Sequence, residues 1–315
     1  MNLTDKRFQD ADAAREHLEA TRWPHGAVCP HCGSVGEATK LSGKAARPGV
    51  WQCNACREQF TVTVGTVFEK SKVPLNKWLL ATYLMSSSKK GISAHQLHRT
   101  LGVTYKTAWF MAHRIREAMT PASDKPFGSG GQTVEMDETF LGTDPDAQAP
   151  KPGKSRGVKQ MMKVVSLVER ETGRARSFVI ENYKAKDVLT VLDKHVSGNA
   201  HLRTDESKFY SGLGPLFASH LTVNHSKKEY ARHGTSPLAT TNSVEGFFGI
   251  FKRGMKGVYQ HCGKQHLQRY MTEFDFRYTF REATGVNDTM RADECLRGIE
   301  GKRLTYRRVN EAAYA

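Results

Sequence analysis

Thr133-Val134-Glu135-Met136-Asp137-Glu138-Thr139-Phe140 alternates with a period of two, the pattern of a half-buried β-strand. On such a strand Glu135, Asp137 and Thr139 share one face, and Val134, Met136 and Phe140 share the other. Residues 163–168 alternate likewise. A turn at Glu171-Thr172-Gly173 leads into 174–180, so three strands join as a meander. Residues 185–196 carry Val188, Leu189 and Leu192 at helical spacing. Beyond them, 201–205 predicts a fourth strand, 208–217 a helix and 220–224 a short fifth strand. Residues 242–255 and 265–281 predict two further helices.

Three strands, helix, strand, helix, strand, helix is the element order of an α/β RNase H-like domain, the retroviral-integrase-like architecture, expected over 126–282. Acidic residues fall at informative places in it. Asp137 lies in the first strand, Asp205 ends the fourth, and Glu245 sits one turn into the late helix, with Lys252 seven residues on and so on the same face. Three convergent carboxylates can hold two Mg²⁺ or Mn²⁺ ions about 3.5–4 Å apart for in-line displacement at phosphorus. Asn242 and Glu245 also satisfy a capping box, in which Glu245 is structural. Glu138 and Glu206 adjoin the aspartates, but a strand neighbour points to the opposite face, so both are expected to be structural or supporting. His225 and His233 fall in loops and are expected at the surface.

Upstream, Cys29-Pro30-His31-Cys32 and Cys53-Asn54-Ala55-Cys56 are separated by twenty residues. Two such knuckles complete a tetrahedron around structural Zn²⁺, and strand-like sequence at 59–64 makes 25–70 a zinc ribbon behind an N-terminal helix at 1–24. Cys262 and Cys295 read as ordinary thiols. After Pro74 the apolar period is helical, and 93–101, Gly102-Val103 and 104–119 form a helix-turn-helix within 71–125. Ala108, Ala112, Ile115 and Met119 form its buried stripe, leaving Lys106, Thr107 and Arg114 as the DNA-facing set. Pro- and Gly-rich residues 121–131 read as a linker, 143–160 as a solvated loop carrying Lys151, Lys154, Arg156 and Lys159, and 283–315 as a tail.

Lys+Arg 47 against Asp+Glu 32 gives a net charge of +15. The excess is carried by 1–125 and 126–282 and not by the tail, which favours a polyanionic partner. Between Glu245 and Glu273 there is no acid, while Lys252, Arg253, Lys256, Lys264 and Arg269 accumulate, an expected DNA contact. No apolar run approaches a membrane span and the N-terminus lacks a signal-peptide core, so a cytoplasmic, nucleoid-associated protein without membrane partners is expected.

Several segments together resemble an insertion-sequence transposase of the ISXO-like group, the family numbered fifteen ninety-five. They are Arg22-Trp23-Pro24-His25-Gly26 and the two knuckles, Gln59-Phe60-Thr61-Val62, Gly65-Thr66-Val67-Phe68 and residues 90–119. In the second half they are Glu135-Met136-Asp137-Glu138, Thr204-Asp205 and residues 241–253, all in family order. The resemblance implies a DDE transposase that binds the terminal inverted repeats of its element, cleaves there, and joins the 3′ ends to target DNA. It further implies Mg²⁺ dependence, assembly as at least a dimer on paired ends, and a Lys252 that positions the terminal DNA. Because some members use Asn at the third catalytic position, Asn242 stands as the alternative to Glu245. Two other readings use the same elements: a DNA-binding protein whose RNase H-like domain is inactive, and a structure-specific nuclease.

Overall fold

The computed structural model describes residues 3–305 apart from 44–45, 123–124, 152, 156, 208–209, 211, 224–230 and 233–238. The chain divides into two compact units. The first comprises residues up to 88, 92–120 and those from 287 onward; the second comprises 89–91 and 121–286.

In the first unit, α1 (Lys6–Gln9) and α2 (Ala11–Arg22) are capped by Asp5 and Asp10, which accept from the backbone N–H groups of Arg7 and Ala13. The ribbon follows as the antiparallel sheet β1 (Ala38–Lys40), β2 (Trp51–Cys53) and β3 (Gln59–Phe60). Trp23 meets Trp51 and Phe60 edge-on, with centroids 5.9 and 5.7 Å away. Arg22 Nη1 donates to the carbonyls of Val62 and Val64 at 2.7 and 3.0 Å. The N-terminal helix and the ribbon therefore share one apolar centre.

Three helices follow: α3 (Leu75–Ser87), α4 (Ala94–Leu101) and α5 (Tyr105–Ala118). Ser93 caps α4 and Thr104 caps α5, while Gly102 between them takes φ +59°, the left-handed turn a side chain resists.

The segment expected to be a tail is part of this unit. Asn287 caps a helix over Asp288–Arg297, whose Ala292, Cys295 and Leu296 are buried. Its Arg291 Nη1 donates to the Ser86 carbonyl of α3 at 3.1 Å. Val67 N donates to Ile299 O at 3.1 Å, and a Cβ on Gly298 would lie 2.2 Å from Ala118 O of α5. A charged sequence concealed this helix, because its buried face includes the aliphatic stem of Arg291.

The second unit is built on a five-stranded mixed sheet of β4 (Thr133–Leu141), β5 (Met162–Glu169), β6 (Ala175–Ile180), β7 (His201–Asp205) and β8 (Ser219–Val223). The spatial order is β6-β5-β4-β7-β8. The β4–β5 and β5–β6 pairs are antiparallel; β4–β7 and β7–β8 are parallel. One face packs Val134, Met136, Val165 and Leu167 against Val188 and Leu192 of α6 (Ala185–His195). The other packs Val164 and Val168 against Val244, Phe247 and Phe251 of α7 (Asn242–Gly254), and against Met271 and Phe274 of α8 (Lys264–Thr279). Covered on both faces, β5 is buried throughout.

Two expectations differ. Of the helix expected at 208–217, residues 208, 209 and 211 lie outside the described residues, and the others contain 3₁₀ structure at Tyr210 and a 3₁₀ turn at Gly214–Leu216 but no α-helix. Gly212 at φ +88° and the Gly214-Pro215 pair break the helical pattern. The 143–160 loop is solvated at Lys151, Lys154 and Lys159 but anchored at its start, and Arg156 lies outside the described residues. Buried Asp144 accepts from Lys163 Nζ at 3.1 Å and pairs with Lys264 Nζ at 3.0 Å.

Candidate active site and zinc centre

Asp137 is the middle residue of β4, just past the stretch paired with β7, and Asp205 is the last residue of β7. The parallel β4–β7 pairing opens here at its carboxyl end, where open α/β sheets present their functional groups. Carboxylate oxygens of Asp137, Glu138 and Asp205 all lie within 4.8 Å of one another.

Glu138 corrects the expectation that strand alternation turns it away. The registered β4–β7 ladder covers only Thr133–Glu135 against His201–Arg203. Past this point β4 stays paired with β5 but not with β7, and on that side the longer Glu138 side chain reaches the aspartates while Tyr210 Oη donates to its Oε1. Burial, first, pushes both Asp137 and Glu138 up to about 7. For Asp137, the Glu138 backbone N–H donating to Oδ1 at 2.7 Å opposes this, Asp205 and Glu245 add to it, and Lys252 offsets part. Glu206 is exposed.

Glu245 stands outside the tight group, on α7, close enough for its charge to act on Asp137. The capping-box geometry is not the observed one. Thr241 is the N-cap, Asn242 is an exposed first helical residue, and Thr241 Oγ1 donates to Glu245 Oε1 at 2.7 Å. Lys252 is exposed on the same helix, as are Arg253 and, just beyond, Lys256. Lys264 is instead held by Asp144, Asp146 and Glu181. His225 and His233 lie outside the described residues.

These oxygen donors fit a hard divalent cation: each is a carboxylate, they converge, and Asp137 and Glu138 are raised first by burial and then by the neighbouring acidic charge, which a cation would offset. In the ribbon, Cys29 Sγ is 3.6 Å from Cys56 Sγ, and Cys32 Sγ is 3.6 Å from Cys53 Sγ. A tetrahedral Zn–S shell puts its sulfurs about 3.8 Å apart, so the four thiols fit zinc and are far too distant for disulfides. The Ser34 hydroxyl lies 3.2 Å from both Cys32 and Cys53 Sγ and pulls the Cys53 thiol down to about 6.

The family model described as an ISXO2-like transposase domain matches residues 129–279, and the one described as a transposase zinc-ribbon domain matches residues 9–59. Both belong to one transposase group, and together they span more than half of the chain. The chain carries an ISXO2-like transposase domain behind a transposase zinc ribbon. A protein of the transposable element ISH50 from Halobacterium salinarum, itself described as uncharacterized, is 24% identical over 286 residues. The match covers 86% of the transposase and 92% of that relative.

The four cysteines of the transposase thus form its zinc-ribbon site. In the helix-turn-helix of the transposase, Lys106 is exposed and Thr107 half-buried. Arg114, expected to face DNA, does not: it is 6% exposed, donates Nη2 to Glu69 O at 2.7 Å and lies over the rings of Trp78 and Phe110. No helix among the described residues of the transposase is long and apolar enough to cross a membrane.

Proposed function

We propose that the protein binds the terminal inverted repeats of its mobile element, cleaves DNA there and transfers the 3′ ends to target DNA. The observation that carries this reading is the convergence of Asp137, Glu138 and Asp205 in a domain of transposase type. The sheet order, with an antiparallel meander extended by two parallel strands, supports an RNase H-like, retroviral-integrase-like assignment.

Asp137 and Asp205 hold the divalent ions, Mg²⁺ or Mn²⁺, and Glu245 is the third catalytic carboxylate. Glu138, kept in place by Tyr210, is an additional ligand. When bound, a metal pair activates the attacking oxygen and stabilises the leaving one. Cleavage joins a water oxygen to phosphorus and releases a 3′-hydroxyl; strand transfer joins that hydroxyl to a target phosphorus and releases a new 3′-hydroxyl. Lys252, Arg253 and Lys256 hold the terminal phosphates beside the acids. Lys106 and Thr107 contact the repeat from α5, the ribbon supports that module, and two or more copies pair the element's ends in the nucleoid.

The test incubates the full protein with DNA carrying candidate terminal repeats, with and without Mg²⁺, and maps nicks. Metal-dependent nicks at the repeat ends are expected, lost in Asp137→Asn and Asp205→Asn with repeat binding retained. Binding without nicks in any metal would favour an inactive DNA-binding protein. Nicks at branched DNA irrespective of repeat would favour a structure-specific nuclease.

A further inference from the structure

Glu135 lies two residues before Asp137 on the same face of β4 and has no solvent exposure. Its carboxylate accepts from Ser243 N at 2.7 Å, Ser243 Oγ at 2.9 Å and Val244 N at 3.1 Å. Arg170 adds Nε at 2.9 Å and Nη2 at 2.8 Å, and the same Nη2 donates to Thr240 O at 3.1 Å. Tyr278 Oη holds the Ser243 carbonyl at 3.1 Å.

Ser243 and Val244 are in the first turn of α7, where backbone N–H groups have no partner within the helix and a negative charge is favoured. A buried carboxylate is tolerated when its charge is paired and its lone pairs are filled, as here. The clasp stands beside the candidate chemistry on both elements. Two residues along β4 is Asp137, and two residues along α7 from Ser243 is Glu245. The strand advances about 3.3 Å per residue and the helix about 1.5 Å, so fixing α7 at Ser243 leaves Glu245 little freedom to slide along β4.

We propose that Glu135 is a positioning residue: with Arg170 it fastens the first turn of α7 to β4 and sets the reach of Glu245 toward Asp137. This rests on the reading that Asp137 and Glu245 act together on a metal. Glu135→Gln keeps the shape but turns an amide N–H₂ toward donors, so the helix start loses its anchor.

Mn²⁺ binding to the full-length protein, followed through the free-ion electron paramagnetic resonance signal, tests this without needing catalysis. Supporting partners of metal ligands commonly change affinity by 10–100-fold, so Glu135→Gln should weaken Mn²⁺ by about tenfold. In a Glu245→Gln background the same change should add less than about twofold, because the residue it positions is already gone. An equal loss in both backgrounds would show that Glu135 only supports the fold and would overturn the proposal. If Glu135→Gln does not fold, Ser243→Ala, which removes one of the five contacts, takes its place with a smaller loss and the same background dependence. Asp137→Asn and Glu245→Gln run alongside. If they weaken Mn²⁺ while the Glu135 effect stays additive, the clasp fails alone. If neither weakens it, the active-site reading fails and the clasp's role with it.

Discussion

The guanidinium of Arg114 donates to the main-chain oxygen of Glu69 at 2.7 Å from a position only 6% exposed. This joins α5 to the segment that leads into α3. Arg114→Ala should therefore destabilise the first unit by about 1–3 kcal/mol, the range for losing a buried, charge-assisted hydrogen bond. Exposed Lys106 is the contrast. Lys106→Ala should leave stability within about 0.5 kcal/mol and reduce the salt slope of DNA binding by about 1. Denaturant midpoints and salt titrations check both, and an unchanged Arg114→Ala midpoint would return that residue to the DNA-facing set.

Metal analysis of the purified protein should give about one zinc per chain. Cys53→Ser should lose that zinc and unfold the ribbon, since apparent zinc binding of ~10–16 kcal/mol is also folding energy. Limited proteolysis should then attack the first unit while the 126–286 region persists. Full zinc retention in Cys53→Ser would contradict the site.

The third catalytic position can be settled by two substitutions. Thr241 supplies the N-cap of α7 and Asn242 is exposed, so Asn242→Ala should change stability by less than about 0.5 kcal/mol and retain cleavage. Glu245→Gln keeps an acceptor for the Thr241 hydroxyl but removes the charge, so it should stay folded and lose cleavage by at least about 100-fold. A folded, inactive Asn242→Ala beside an active Glu245→Gln would transfer the role to Asn242.

Asp275 on α8 is buried against β6, where it accepts from Ser177 N at 2.8 Å and Ser177 Oγ at 2.6 Å. Burial pushes its carboxyl up to about 7 despite these bonds and the nearby Arg176 charge. A folded-state pKa above the unfolded one means the fold binds this proton more tightly. That contribution is complete below about pH 4 and is lost as pH rises through about 7. At the limit of this shift it amounts to about 4 kcal/mol. Asp275→Asn should flatten the fall in urea midpoint between pH 4.5 and 7.5; an unaltered slope would refute it.

The cysteine ligands and the three-strand meander were legible because both follow from local spacing. Four thiols at Cys-x-x-Cys spacing have few other uses, and the alternation through Thr133–Phe140 identifies two faces without reference to any partner. Glu138 was not legible, because alternation does not reveal that β4 loses its β7 neighbour after Glu135, which leaves room for a long side chain to reach the aspartates. Arg114 was misread for a related reason. The helical period separates the sides of α5, but it cannot reveal that Glu69 and Trp78 cover the side bearing the arginine. Thr241 displaced Asn242 as the cap by a shift of one residue, within the ordinary uncertainty of a helix start. The Glu135 clasp needs Ser243, 108 residues away, and no local pattern joins them.

The return of the chain after residue 286 to complete the first unit carries a consequence for synthesis and decay of the gene. A ribosome must deliver Ile299 before the module begun by the helices at 6–22 can close. A premature stop just after codon 286 would leave every codon of the acidic centre intact, yet the module damaged would be the one that precedes that centre in the chain. A frameshift after codon 286 would therefore act through the unit that carries the zinc ribbon and leave the acidic centre's own residues unchanged.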